Sequence, residues 1–268
     1  MSITSKTTEE NPQSASAKPS PPSATSPDSS GENAIEGQLN STERALLVDA
    51  ILSAPSKPWV VLEVGTWLGG GSTLQILRAL EKTGQGHLWG IEADRNIYER
   101  MIANLRSHAP EAIHRFTPLF GFSQEVIPRW IAGQPAGFHI DFAFLDGSNR
   151  PLEQITEFKL IDPCVPVGGQ LMAHDAKLRK GKWLVPYLSR LDHWQVKLHD
   201  VSAEGLLHAR KIAERPSIAS LKAAEGELSR LKREPAELAA VLLPARLRGL
   251  ILNLLPRKLA ARLSDGRK

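Results

Sequence analysis

The chain has 268 residues, and its 33 Lys and Arg against 29 Asp and Glu give a formal charge of +4 and a pI of about 9.2. At 41% hydrophobic and 23% charged it has an ordinary globular composition, which excludes a collagen-like, wholly disordered or polytopic membrane protein. Residues 211–268 hold 13 basic and 6 acidic side chains, a net +7, whereas residues 1–210 hold 20 and 23, a net −3, so the basic character belongs to the C-terminal part and not to the chain.

Cys164 is the single cysteine, which excludes an intrachain disulfide and a zinc site built from several thiolates and fits a reducing compartment. With no apolar run suited to a signal peptide or a membrane span, a cytoplasmic protein is expected.

Residues 1–33 are mostly Ser, Thr, Pro and other polar residues, and ordering them would lose entropy with no hydrophobic return, so they predict a disordered leader. From Ala34 a helical face forms from Leu39, Leu46, Leu47, Ala50 and Ile51, with Asn40 as N-cap and Glu43 completing a capping box; Pro55 and Pro58 stop it. Short apolar runs then alternate with amphipathic stretches, the pattern of βαβ units around a parallel sheet buried on both faces. Strands are expected at 59–64, 87–93, 114–120, 140–146, 169–175, 194–200 and 205–211, with helices near 72–82, 95–107, 123–132, 151–161 and 181–191. The last two strands lie close enough to pair as an antiparallel hairpin.

The expected fold class is α/β: a Rossmann-like three-layer sandwich with a mostly parallel seven-stranded sheet over 34–212, followed by a basic, amphipathic helical tail over 213–268. In the tail Ile218, Leu221, Ala224, Leu228 and Leu231 recur at helical spacing, and a second Leu-rich stretch with Arg and Lys beside it follows Pro235. Packing on the body or on a second subunit is the expected use of this tail. A peripheral contact with anionic membrane is the alternative, and no nucleic-acid partner is expected because stacking aromatics are missing from it.

After the first strand the chain reads Glu63-Val64-Gly65-Thr66-Trp67-Leu68-Gly69-Gly70-Gly71-Ser72 and opens a helix. Glycines there let backbone approach a ligand closely, although they would also serve plain strand-to-helix packing. The spacing is E-x-G-x-x-x-G, not the G-x-G-x-x-G of dinucleotide folds, and its glutamate suits a ligand carrying a positive amine better than a pyrophosphate. Glu92, 27 positions after Gly65 and at the tip of the second strand, is placed to accept both hydroxyls of a ribose. Gly121-Phe122-Ser123-Gln124-Glu125-Val126-Ile127-Pro128 follows the third strand, where Ser123 could also act as an N-cap.

These two motifs, taken together, closely resemble the class I S-adenosylmethionine-dependent methyltransferases of the catechol O-methyltransferase type. The resemblance implies S-adenosylmethionine as cofactor, with Ser123 and Gln124 beside Gly121 lining the adenine and Glu92 holding the ribose. It places Glu63, Gly65, Trp67, Gly69 and Ser72 around the methionine portion.

The fourth strand ends at Asp146-Gly147-Ser148-Asn149 and the fifth at His174-Asp175; if the two strands are parallel neighbours, both tips share one rim. Two carboxylates around a cavity call for compensation, and a divalent cation is the usual one. The pattern also looks like that of metal-dependent sugar and small-molecule O-methyltransferases, which puts Asp146 and Asp175 on metal-ligand positions for Mg²⁺ or Mn²⁺. The chain departs from the catechol enzymes at two points: Asn149 stands where their lysine base lies, and His174-Asp175 replaces their Asp-Asn pair. His174 is therefore expected as a third ligand or as the general base, with Asp146 beside it in catalysis and Lys177 and Lys180 as less well placed candidates.

The expected activity is O-methylation of a hydroxyl on a small molecule or sugar. An NAD-dependent oxidoreductase on a similar fold, or a non-catalytic cofactor-binding scaffold with a partner- or membrane-binding tail, are the alternatives. Acceptor selectivity is expected to reside in the helix before the first strand, the stretch after Asp175 and the tail.

Overall fold

The computed structural model describes residues 35–54, 56–148 and 150–233. The leader expected over 1–33, Asn149 and the Leu-rich stretch after Pro235 lie outside the described residues.

The first helix, α1 (Ser41–Leu52), starts where the sequence places it: the Asn40 side chain accepts from Glu43 N, and the Glu43 carboxylate accepts from Asn40 N, a complete capping box. Five β-α units follow: β1 (Val60–Val64), α2 (Thr73–Thr83), β2 (His87–Glu92), α3 (Arg95–His108), β3 (Phe116–Phe120), α4 (Ser123–Ala132), β4 (Phe142–Leu145), α5 (Pro151–Ile161), β5 (Gln170–Ala173) and α6 (Gly181–Leu188). The chain closes with β6 (Trp194–His199), β7 (Leu206–Lys211) and α7 (Ile218–Lys232). Several boundaries shift by one to three residues from expectation, with β4 and β5 each shorter than expected, and two shifts have a visible cause. A 3₁₀ turn at Ile113–Arg115 takes the first residues expected in β3, and α6 ends at Leu188 because Arg190 and Leu191 already bond three residues back, to Tyr187 and Leu188.

The seven strands form one sheet in the order β3-β2-β1-β4-β5-β7-β6. β1 to β5 are parallel, and β7 runs antiparallel to both β5 and β6, so the terminal hairpin sits at one edge as expected. The central strands carry apolar residues at consecutive positions because both faces are covered. Val61, Phe142, Phe144 and Met172 pack with α1, α2 and α3, while Leu62, Val64, Ala143, Leu145 and Leu171 pack with α4 to α7. Phe142 and Phe144 are at most 1% exposed, and truncating either to Ala would cost about 3–5 kcal/mol.

α7 continues this core. Ala224, Leu228 and Leu231 belong to the same cluster as α6, whereas Ile218 and Leu221, read as part of the same apolar face, are exposed. No helix among the described residues is long and apolar enough to cross a membrane.

Candidate active site

The order of the strands reverses at the β1–β4 junction, and in open α/β sheets the crevice beyond the strand C-termini at such a point is where ligands bind. The parallel ladders run one residue past the strands there: Gly65 N bonds to Ile91 O, Gly121 N to Glu92 O, Asp146 N to Val64 O and His174 N to Leu145 O. This extension aligns the tips of β1 to β5 on one rim and brings the predicted residues to it.

The loop after β1 divides into two uses. Gly65 has φ +87°, and a Cβ on it would lie 2.5 Å from Gly147 Cα and 2.6 Å from Asp146 O, so the first and fourth strand tips touch backbone to backbone. A Cβ on Gly70 would come 2.1 Å from Ile35 O, which shows that this glycine admits the segment leading into α1 and not a ligand. Gly69 also takes a left-handed φ, as do Trp67 (50°) and Asp175 (57°), two non-glycine residues on the rim. Backbone held in that region costs about 1–3 kcal/mol per residue and concentrates at functional sites.

Beneath this loop Glu63 is fully buried. It accepts a hydrogen bond from Ser72 Oγ, and its Oε2 has no partner. Burial pushes its carboxyl up to about 8 against the hydrogen bonds of Ser72 and Thr73, and the charges of Asp146 and Glu92 push the same way. Glu92 accepts from the N–H groups of Ala93 (2.9 Å), Asp94 (3.0 Å) and Trp67 (3.1 Å), which fix its carboxylate at the β2 tip; burial still raises its pKa. Trp67 itself is 40% exposed, open to a ligand, whereas Trp183 and Trp194 are core residues.

Ser123 does not cap α4. It lies inside the helix, buried, and its hydroxyl donates to Glu157 Oε1 at 2.5 Å, with Gln124 Nε2 at 3.5 Å from the same oxygen. Gly121, just before it, has φ +131°. Glu157 of α5 is 1% exposed with Oε2 unpartnered, and burial raises its carboxyl to about 7 despite the Ser123 bond. Sequence reasoning missed Glu157. Its only signal was an acid on the buried stripe of α5, next to Phe158.

At the β4 and β5 tips Asp146, His174 and Asp175 come together, each offering one donor atom within 4.8 Å of the others. They do not stand free. Lys180, 3% exposed, places Nζ 2.6 Å from Asp146 Oδ1 and 2.9 Å from Asp175 Oδ2, an ammonium between the two carboxylates. The His174 ring is equally enclosed: Nδ1 faces Asp146 Oδ1 (3.3 Å) and Asp175 Oδ1 (3.5 Å), and Nε2 faces Glu43 Oε2 (3.4 Å). Burial alone would lower the His174 pKa, but the contacts with Asp146 and Glu43 outweigh it and hold the ring protonated. Burial would raise Asp146 and the Lys180 charge overrides it, leaving the carboxyl below its usual range.

Both roles expected of His174 need a ring nitrogen that a ligand can reach, and at 2% exposure, with carboxylate oxygens 3.3–3.5 Å from both nitrogens, neither is open to solvent. Lys180, ranked low from sequence, lies at the centre of the cluster, and Lys177 instead pairs with Asp200 out at the surface. The donor set has the chemistry for a divalent cation, but as arranged it does not fit one, because a metal would have to displace Lys180 and deprotonate His174.

Residues 62–176 match the family model of the methyltransferase domain. Among solved structures, an O-methyltransferase from Bacillus cereus in complex with SAH is 15% identical, with a TM-score of 0.54 over 65% of this chain and 82% of its own. The O-methyltransferase TomG from Streptomyces achromogenes, in complex with SAM, is 18% identical with a TM-score of 0.52 over 66% and 82%. A methyltransferase from Geobacter sulfurreducens is 19% identical with a TM-score of 0.51 over 65% and 80%. No curated protein matches the chain. The chain shares its fold with these methyltransferases. The segment that matches the family model runs from within β1 to just past Asp175 and so contains every residue expected above to hold cofactor or metal.

Proposed function

We propose that the protein transfers the methyl group of S-adenosylmethionine to a hydroxyl oxygen of a small molecule or sugar. The observation that carries this reading is Glu63, a buried carboxylate with one unpaired oxygen under a left-handed glycine loop. An α-ammonium group satisfies such an oxygen, and a pyrophosphate would be repelled by it. Glu92 takes the ribose, and Ser123 and Gln124 take the adenine edge.

In this reading the acceptor oxygen attacks the sulfonium methyl in line; the O–C bond forms as the S–C bond breaks, and S-adenosylhomocysteine leaves. Holding the two in near-attack contact supplies most of the acceleration. The acceptor proton becomes strongly acidic as the oxygen is methylated, so Asp146, partly open on the rim, can take it although the Lys180 charge holds its pKa below the usual range, and Asp175 stands beside it. Lys180, bonded to both carboxylates, holds them in place on the rim. No step passes through a metal ion.

The experiment is to incubate the full chain with methyl-labelled S-adenosylmethionine and panels of phenols, sugars, amines and thiols. Label in a hydroxyl acceptor supports the reading, and label only in amines or thiols overturns it.

A further inference from the structure

We propose that Lys180 is the built-in cation of this site, occupying the place of a divalent metal between Asp146 and Asp175 and thereby excluding one. Nζ bonds to one oxygen of each carboxylate, at 2.6 and 2.9 Å, and is 3% exposed, so this is not a surface lysine resting on an acidic rim. Its root is fixed as well. Lys180 immediately precedes α6, and the next residue, Gly181, packs so closely on Ala176 that a Cβ would lie 2.4 Å from Ala176 Cα and from its carbonyl oxygen. The turn between is tied by Leu178 N to Asp175 O and Lys182 N to Leu178 O, which returns the chain over the β5 tip and aims position 180 back at Asp146.

The pair of carboxylates already has its counter-charge: Asp146 and Asp175 each have Lys180 Nζ within 2.9 Å. An added divalent ion would stand next to Nζ, and like charges a few ångströms apart in a largely buried site repel strongly.

The inference rests on the arrangement of the cluster and not on what the enzyme methylates, so it is tested without turnover. Mn²⁺ is titrated into the full chain and free Mn²⁺ is read by electron paramagnetic resonance, for the wild type, Lys180→Gln and Lys180→Arg. The expected result is no stoichiometric Mn²⁺ binding by the wild type or Lys180→Arg, and at least about tenfold tighter binding by Lys180→Gln, whose carboxylate pair has lost its cation. A wild-type chain that binds one Mn²⁺ with micromolar affinity overturns the proposal, and this holds even if the glutamine variant fails to fold. Equal binding by wild type and a folded Lys180→Gln also overturns it, since something other than the lysine would then control the ion.

Discussion

Glu43 Oε2 stands 3.4 Å from Nε2 of His174, so the residue that closes the capping box of α1 also faces the cation at the tip of β5. Glu43 Oε1 further accepts from Ser202 Oγ at 2.6 Å. The helix before the first strand is thereby tied to the active rim by a carboxylate that is 1% exposed. Removing one partner of a buried ion pair costs about 3–5 kcal/mol, whereas losing an N-cap costs about 1 kcal/mol. Glu43→Ala should therefore destabilise the protein several times more than Asn40→Ala in urea denaturation; equal losses would reduce Glu43 to a cap alone.

The raised pKa of Glu63 makes stability depend on pH. The unfolded carboxyl ionises near 4.5 and the folded one at about 8, so between these values the folded state holds the extra proton. Stability of the cofactor-free protein should then be highest below pH 4.5 as far as this group is concerned and fall as pH rises to about 8, by an amount on the order of a few kcal/mol. Glu63→Gln should flatten that slope in denaturation curves taken across the window. The same variant should bind S-adenosylmethionine more weakly and lose the rise in affinity expected of the wild type as pH climbs to about 8, where Glu63 ionises and meets the ligand ammonium.

Glu157 allows a second pH test at a different place. Its folded carboxyl ionises at about 7 against 4.5 in the unfolded chain, so at pH 4, where both states are largely protonated, Glu157→Gln, which mimics that form, should change stability by less than about 1 kcal/mol. At pH 8.5 the variant should be the more stable protein, because it avoids burying a carboxylate with an unpartnered oxygen. A variant less stable than wild type at both pH values would mean that Glu157 is held ionised.

The glycine loop separates ligand binding from packing. Gly65→Ala drives a methyl into Gly147 and the Asp146 carbonyl at a positive φ, so it should abolish cofactor binding as well as lower stability. Gly70→Ala instead collides with Ile35 O, and its first effect should be to release the segment before α1, read as faster proteolysis there.

The sheet was legible because burial on both faces writes continuous apolar runs such as Val60-Val61-Leu62 and Phe142-Ala143-Phe144-Leu145 into the sequence, and the capping box marks the start of α1 to the residue. The site was legible where strand tips carry it: Glu63, Glu92, Asp146, His174 and Asp175 all reach one rim. The partners of these residues were not. Glu43 and Glu157 sit on helices and Lys180 in a turn, 131, 34 and 34 positions from His174, Ser123 and Asp146, and only the packing of those elements on the sheet brings them into contact. Local pattern could report a cap, a buried stripe and a loop lysine, but it could not report which strand tip each one would meet.

The most direct test of the central claim is calorimetric titration of the full chain with S-adenosylhomocysteine and, separately, with NAD. One S-adenosylhomocysteine per chain, weakened by Glu63→Gln and by Glu92→Ala, with no heat of binding from NAD, is the predicted result. Binding of NAD with none of S-adenosylhomocysteine would contradict it.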